Sequence, residues 1–283
     1  MTRDAHLVGG AAPWRRRVRR SERPRGIAQP MPVHDSPQDD PEADRARAAQ
    51  EDPWVMHLVV RMERPVALEA LLAAAARATV DAYTLADDPR YTESFRAWEA
   101  RSFRKVCLRA AERDWPRVLE LPAGSGKVGG VEVVRALPPR LRSAREKLLA
   151  RLQALTDPPE GAPVAAEPPA GDQQPVMLFV INASVPMRAG KMTAQVAHAV
   201  LMCEAALAPR YPEAFAGWDL AGRPCAVRLA PPGVWEALCR TEDCVVVRDA
   251  GLTEVTPGAQ TVMALAPRPS GEWPAGVAGL PRP

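Results

Sequence analysis

The sequence is poor in the features that would assign it to a specialised class. Its five cysteines, Cys107, Cys203, Cys225, Cys239 and Cys244, show neither paired metal-ligand spacing nor a disulfide framework, so they read as small buried hydrophobes of a reducing compartment. No apolar run approaches the ~18 residues needed to span a bilayer, and Met1–Gly10 contains no secretory hydrophobic region. The expectation is a soluble, cytoplasmic chain with no membrane partner. His6, His34, His57 and His198 are scattered and lack accompanying cysteine or carboxylate spacing, which argues against a zinc site; neither metal nor cofactor is expected. A net charge of only +3 excludes a strongly cationic nucleic-acid coat while leaving room for a local basic patch. The stretch "AGSGKVGG" (Ala123 to Gly130) fails as a phosphate loop, because Leu121 stands where the first glycine is required and Val128 follows Lys127 in place of Ser or Thr. It reads as a flexible hairpin loop.

What the sequence does contain is 283 residues, 47% hydrophobic, enough for two small cores, and 31 prolines that concentrate in residues 1–53, 157–175 and 266–283. Those proline-rich stretches predict tails and a linker. Residues 1–50 carry "RRRVRRSERPR" and then a polar, acidic-leaning block with little to bury, a composition expected to be disordered; a start at Met31 is an alternative reading. The predicted organisation is a tail (1–52), a first unit (53–156) ending in an amphipathic helix over Arg142–Leu155, a linker (157–175), a second unit (176–268) and a tail (269–283).

Each unit reads β-α-β-α-β-β. The predicted fold class is α/β: two tandem units, each a four-stranded mixed sheet flanked by helices, mostly parallel, with an antiparallel hairpin at its end. The units also align with each other. "HLVVRMERPVALEALLAAAARA" and "LFVINASVPMRAGKMTAQVAHA" match without a gap at an offset of 121, and Trp98 and Trp115 match Trp218 and Trp235 at 120. This predicts an internal duplication of a unit of ~100 residues.

The second unit differs by carrying a polar stripe. In "AGKMTAQVAHAVL" the residues Lys191, Gln195 and His198 recur along one face of a helix otherwise fit for a core, whereas the first unit has Ala70, Ala74 and Arg77 there. Ligands of open α/β sheets bind beyond the carboxyl ends of parallel strands, where the Gly190-Lys191 pair follows the first strand and Asp249 ends the third. An antiparallel last strand brings Thr261 back to that edge, with Thr253 in the intervening loop, so Lys191, Asp249, Thr253 and Thr261 are expected on one rim. A lysine near a helix N-terminus opposes the macrodipole by about 0.3–1 kcal/mol, so a carboxylate such as Asp249 or a bound phosphate should compensate it.

"MRAGKMTAQVAHAV" (Met187 to Val200) together with "VVRDAGLTEVTPGAQTVMALAP" (Val246 to Pro267) resembles the type 2 peptidyl-tRNA hydrolase family, over roughly Val176 to Arg268. The resemblance implies hydrolysis of the ester between a peptide and the 3′ end of tRNA, without a metal, on a four-stranded mixed sheet that commonly dimerises. Carried over by position, it assigns catalytic roles to Lys191, Asp249 and Thr253, and substrate-binding roles to Gly190, Gln195, His198 and Thr261. Two departures stand out. Asn182-Ala183-Ser184-Val185 replaces an Arg-x-Asp-Leu stretch, and Glu254 replaces a glutamine, adding negative charge where an anionic substrate approaches. In the first unit the same alignment sets Pro122-Ala123-Gly124 against the Asp-Ala-Gly turn, so the scaffold is expected to persist without the chemistry. An inactive copy fused to an active one implies a monomer folded as an intramolecular pseudo-dimer. The competing expectations are a non-catalytic RNA-binding or regulatory protein that keeps the fold, and a hydrolase of another small ester or amide.

Overall fold

A computed structural model describes residues 53–100, 103–159, 164, 173–277 and 279–283. The expected disordered tail and most of the linker lie outside them. In the first unit, strand β1 (Trp54–Arg61) leads to helix α1 (Leu68–Tyr83), and helix α2 (Thr92–Ala100) precedes strand β2 (Arg104–Ala110). Helix α3 (Trp115–Leu119) and strands β3 (Gly124–Val128) and β4 (Val131–Ala136) follow, and then β5 (Arg140–Leu141), α4 (Lys147–Arg151) and β6 (Gln153–Ala154). The second unit runs β7 (Val176–Asn182), α5 (Ala189–Leu207), α6 (Pro212–Leu220), β8 (Cys225–Ala230), α7 (Pro232–Leu238), β9 (Cys244–Arg248) and β10 (Gln260–Arg268). Strands β1 and β7 are buried along nearly their whole length and are apolar except for His57 and the terminal Arg61 and Asn182, because each sheet is covered on both faces, which removes the polar alternation of a half-exposed strand.

Both sheets are mixed and share one strand order. The first is β3-β4-β1-β2, extended by β6 on β2 and by β5 on β1; the second is β9-β10-β7-β8. Among the named strands, only β1/β2 and β7/β8 pair in parallel. The expectation of mostly parallel sheets is therefore corrected: the last strand of each unit inserts between the first and the third and makes two antiparallel pairings.

Register and faces coincide as well. Val134 lies between Val60 and Gly126 as Val262 lies between Ile181 and Val247. Each hairpin then carries one extra residue, Val133 on β4 and Thr261 on β10. Trp98 and Trp218 are both buried and donate their indole N–H to the carbonyls of Arg104 (2.7 Å) and Pro224 (2.9 Å). Phe103 (φ 48°) and Arg223 (φ 61°) make the same left-handed turn after them.

Four local expectations fail for identifiable reasons. Gly124–Val128 is a strand, not a flexible loop: a Cβ on Gly124 would sit 2.1 Å from the Ala82 nitrogen, and one on Gly126 would sit 2.1 Å from the Ala74 carbonyl oxygen. These glycines exist because α1 lies directly on the strand; only Gly129 and Gly130, both at positive φ, form the turn. Arg142–Leu155 holds one short helix, α4, and then turns into β6, which covers the edge of β2. The counterpart of Asp249 is not in Pro122–Gly124, since the shared register places Val128 opposite it. The last segment does not trail free: Val277 is buried against the second sheet, and the Leu229 N–H bonds to the Pro281 carbonyl at 2.8 Å, extending the edge of β8.

The two units pack through their first helices. Helix α1 lies against α5 and β8, α5 lies against α1 and β2, and a single core cluster runs through both. The outer faces are closed by α3 and α4 on the first sheet and by α7 and the C-terminal segment on the second.

Candidate active site

Helix α5 begins beyond the carboxyl end of β7, and its first turns face the loop between β9 and β10. The Lys191 Nζ lies 2.5 Å from Asp249 Oδ2 and donates to Thr253 Oγ1 at 2.9 Å. One turn on, Gln195 Nε2 donates to the same Asp249 oxygen at 2.8 Å, and the Gln195 carbonyl oxygen accepts the Thr261 hydroxyl at 2.6 Å. Asp249 Oδ1 accepts the Gly251 N–H at 2.7 Å. The result is one chain, Thr261–Gln195–Asp249–Lys191–Thr253. The rim predicted from topology thus closes, although it is more enclosed than a rim: Asp249 is 7% exposed, and Gln195 and Thr261 are buried.

Local chemistry explains each placement. The cation that opposes the helix dipole is held by the carboxylate expected to compensate it. Thr261 is the extra residue of its hairpin, and the bulge turns its side chain toward α5. Gly251 at φ +72° makes the Asp-Ala-Gly turn that folds its N–H back onto Asp249. Gly190 permits a close crossing, since a Cβ there would lie 2.0 Å from the Leu155 carbonyl oxygen of the first unit. Asn182 stands at the end of β7, binding the Gln260 carbonyl and the Ser184 N–H. The extra charge of Glu254 is not loose: its carboxylate accepts the Arg188 N–H at 3.1 Å and lies 3.8 Å from the Arg188 guanidinium.

His198 is not part of this chain of contacts. Its ring packs against Phe103 with centroids 5.4 Å apart, and Nδ1 lies 3.1 Å from the Lys105 amine. Burial holds the imidazole pKa well below its ordinary value, and Lys105 and then Lys191 push the same way. Sequence reading missed Lys105. The available signal is its period-2 spacing from Cys107, which sets it on the helix-facing side of β2. A cavity of about 610 Å³ opens elsewhere, beyond the ends of β1 and β2; Arg109, Arg113 and Arg151 face Glu63, Asp114 and Asp157 there, and none of the Lys191 network lines it. Among the described residues no group of three His, Cys, Asp or Glu is arranged to hold a metal ion, and no helix is long and apolar enough to cross a membrane.

With that geometry in hand, comparison with known proteins identifies relatives of the second unit. The family model for peptidyl-tRNA hydrolase PTH2 matches residues 175–231, a span holding Gly190, Lys191, Gln195 and His198 but ending before Asp249. The mitochondrial peptidyl-tRNA hydrolase 2 of Homo sapiens is 30% identical over 100 residues, covering 33% of this chain and 56% of the relative. Its Bos taurus counterpart gives the same figures, and the Mus musculus protein is 28% identical over 99 residues. The chain thus spans about half the length of the curated relatives it matches.

Proposed function

We propose that this chain hydrolyses the ester joining a peptide to the 3′ end of tRNA, a reading supported by the match of residues 175–231 to the family model for peptidyl-tRNA hydrolase PTH2 and by the similarity to the mitochondrial relatives. The observation that carries the proposal is the donor arithmetic at Lys191. An ammonium has three N–H bonds, and two are spent on Asp249 and Thr253, leaving one for a substrate oxygen. Asp249 accepts from Lys191, Gln195 and Gly251, so it acts by holding the lysine rather than as a free base. Thr261 is buried, donates inward to Gln195 and serves to position that amide. Thr253 is exposed and accepts from Lys191, so its own O–H points to water or substrate.

In the reaction this implies, water adds to the ester carbonyl, and the tetrahedral oxyanion forms against the free Lys191 N–H. The C–O bond to the ribose then breaks, the peptide leaves as a carboxylic acid, and the proton lost by the water ends on the ribose oxygen. Gly190 and His198 flank this centre on α5 and support the helix rather than the substrate. The test is release of labelled peptide from peptidyl-tRNA by purified protein. Release at a rate that collapses on Lys191→Met supports the proposal, and no release by the intact chain refutes it. A non-catalytic RNA-binding role is the second reading, favoured by Ala70, Ala74 and Val128 standing where the second unit has Lys191, Gln195 and Asp249.

We further propose that the two units are copies fused into an intramolecular pseudo-dimer, so that the chain is a monomer. Their common strand order, register, bulge and tryptophan bonds support this, as does the reciprocal packing of α1 and α5. The cytoplasmic location is likewise a proposal, resting on five free thiols, whereas the relatives above carry mitochondrial names.

A further inference from the structure

Lys105 is hard to justify as packing. It is 8% exposed on the first unit's β2, has no carboxylate partner among the described residues, and burial drives its pKa well below that of an ordinary lysine. Its amine lies 3.8 Å from the centroid of Phe103, 4.6 Å from that of Trp98 and 3.1 Å from His198 Nδ1. A buried amine without a counter-ion is costly, and an apolar side chain of the same length would fill this space better. What the amine adds is a directed contact with α5 from outside the second unit.

A second contact from the first unit meets the same helix two turns earlier. The Ala189 N–H bonds to the Thr156 carbonyl at 3.1 Å, and the Leu155 carbonyl presses on Gly190. Lys191 and Gln195 lie between these two clamps. Their reach to Asp249 therefore depends on how the first unit sets the rotation and height of α5.

We propose that Lys105 is a positioning residue of the site: it donates to His198 Nδ1, holds that imidazole as the Nε2–H tautomer, and so fixes the third turn of α5 against the first unit. The kinetic part of the test rests on the hydrolase reading, whereas the tautomer does not. Lys105→Met keeps length and burial, so the variant should melt no lower than the parent. Its kcat should fall roughly tenfold with KM within about twofold, a loss smaller than the roughly hundredfold expected of an ångström-scale misplacement. Because Lys105 acts through His198, adding Lys105→Met to His198→Gln should cost nothing more. The imidazole 15N shifts of the intact chain should report His198 as Nε2–H, and Lys105→Met should abolish that preference. Wild-type turnover in Lys105→Met, additive losses in the double variant, or an Nδ1–H signal in the intact chain each overturns the proposal. If the intact chain releases no peptide, the hydrolase reading fails by itself, and the 15N measurement alone decides the role of Lys105.

Discussion

Removing the Asp249 carboxylate should damage stability and catalysis together, by amounts its contacts set. Three donors converge on it: the Lys191 ammonium at 2.5 Å, the Gln195 amide at 2.8 Å and the Gly251 N–H at 2.7 Å. In Asp249→Ala the buried Gln195 amide loses its acceptor, at about 1–3 kcal/mol, and the half-buried Gly251 N–H loses less because water can reach it. Breaking a buried ion pair from one side costs about 3–5 kcal/mol, but the Lys191 side chain is 13% exposed and can swing toward water, so the lower end applies. The variant should lose roughly 4–5 kcal/mol in chemical denaturation, a large fraction of a typical domain's margin. Lys191→Met leaves Asp249 with its two neutral donors and should cost less, about 2 kcal/mol. Single-turnover release of labelled peptide from peptidyl-tRNA should fall at least about a hundredfold in each variant, measured at temperatures where both are folded. The two residues act as a unit, so the double variant should be no slower than the worse single one. Wild-type turnover in folded Asp249→Ala, or losses that add in the double variant, would refute the reasoning.

Three other outcomes follow from particular residues. His57 is buried with its pKa lowered to about 4, by burial first and then by Arg145 and Arg140, while the unfolded value is 6.5. The unfolded chain binds the extra proton between those values, so the imidazole's contribution is complete above pH 6.5 and is lost down to about pH 4, by roughly 3 kcal/mol. Glu99, raised to about 7 by burial, works in the opposite direction, so the quantity to compare is the pH dependence of Tm in the parent and in His57→Leu, and parallel curves would count against the assignment. Gly126→Val must displace the Ala74 carbonyl and should cost about 3 kcal/mol or more, whereas Gly129→Asn, at φ +55° with open space, should cost under about 1 kcal/mol; equal midpoints in urea would contradict the packing argument. Residues 173–283 expressed alone expose the face of α5 that meets α1 and β2 and should dimerise or aggregate, while the full chain sediments as a monomer; a well-behaved, fully active monomeric fragment would dispose of the pseudo-dimer.

What the sequence made legible was whatever repeats or points inward locally. Apolar runs located strands such as Cys225–Ala230 to the residue, and the stripe of Lys191 and Gln195 marked a helix with a polar purpose. The convergence of Asp249 and Thr261 followed from strand direction alone. The illegible parts depend on partners far away in the chain. Gly124 and Gly126 look like a loop because nothing nearby records that α1 rests on them. His198 shares a helical face with Lys191 and Gln195, yet the first unit covers that end of the stripe. Glu254 reads as repulsive until Arg188, 66 positions earlier, is found beside it. Helices α2 and α6 were missed because each buries only one edge, through Phe95 and Trp98 and through Phe215 and Trp218.

The contrast between the two helix starts gives the pseudo-dimer reading a physical logic. At the start of α5, Gly190 leaves room for the Leu155 carbonyl, and the next residue is Lys191. At the matching place in α1, Glu69 takes the glycine's position and Ala70 the lysine's. Glu69 is buried, bonds Arg228 of β8 at 2.8 Å and meets Arg282 of the C-terminal segment at 3.2 Å. An acid in the first turn also suits the helix dipole that Lys191 opposes. In a symmetric homodimer both helix starts must carry the same residue, so a buried acid at this position and the glycine that admits the Leu155 carbonyl beside Lys191 exclude each other. Fusion lifts that constraint. One start then anchors the units to each other, and the other keeps the glycine and the lysine that pairs with Asp249.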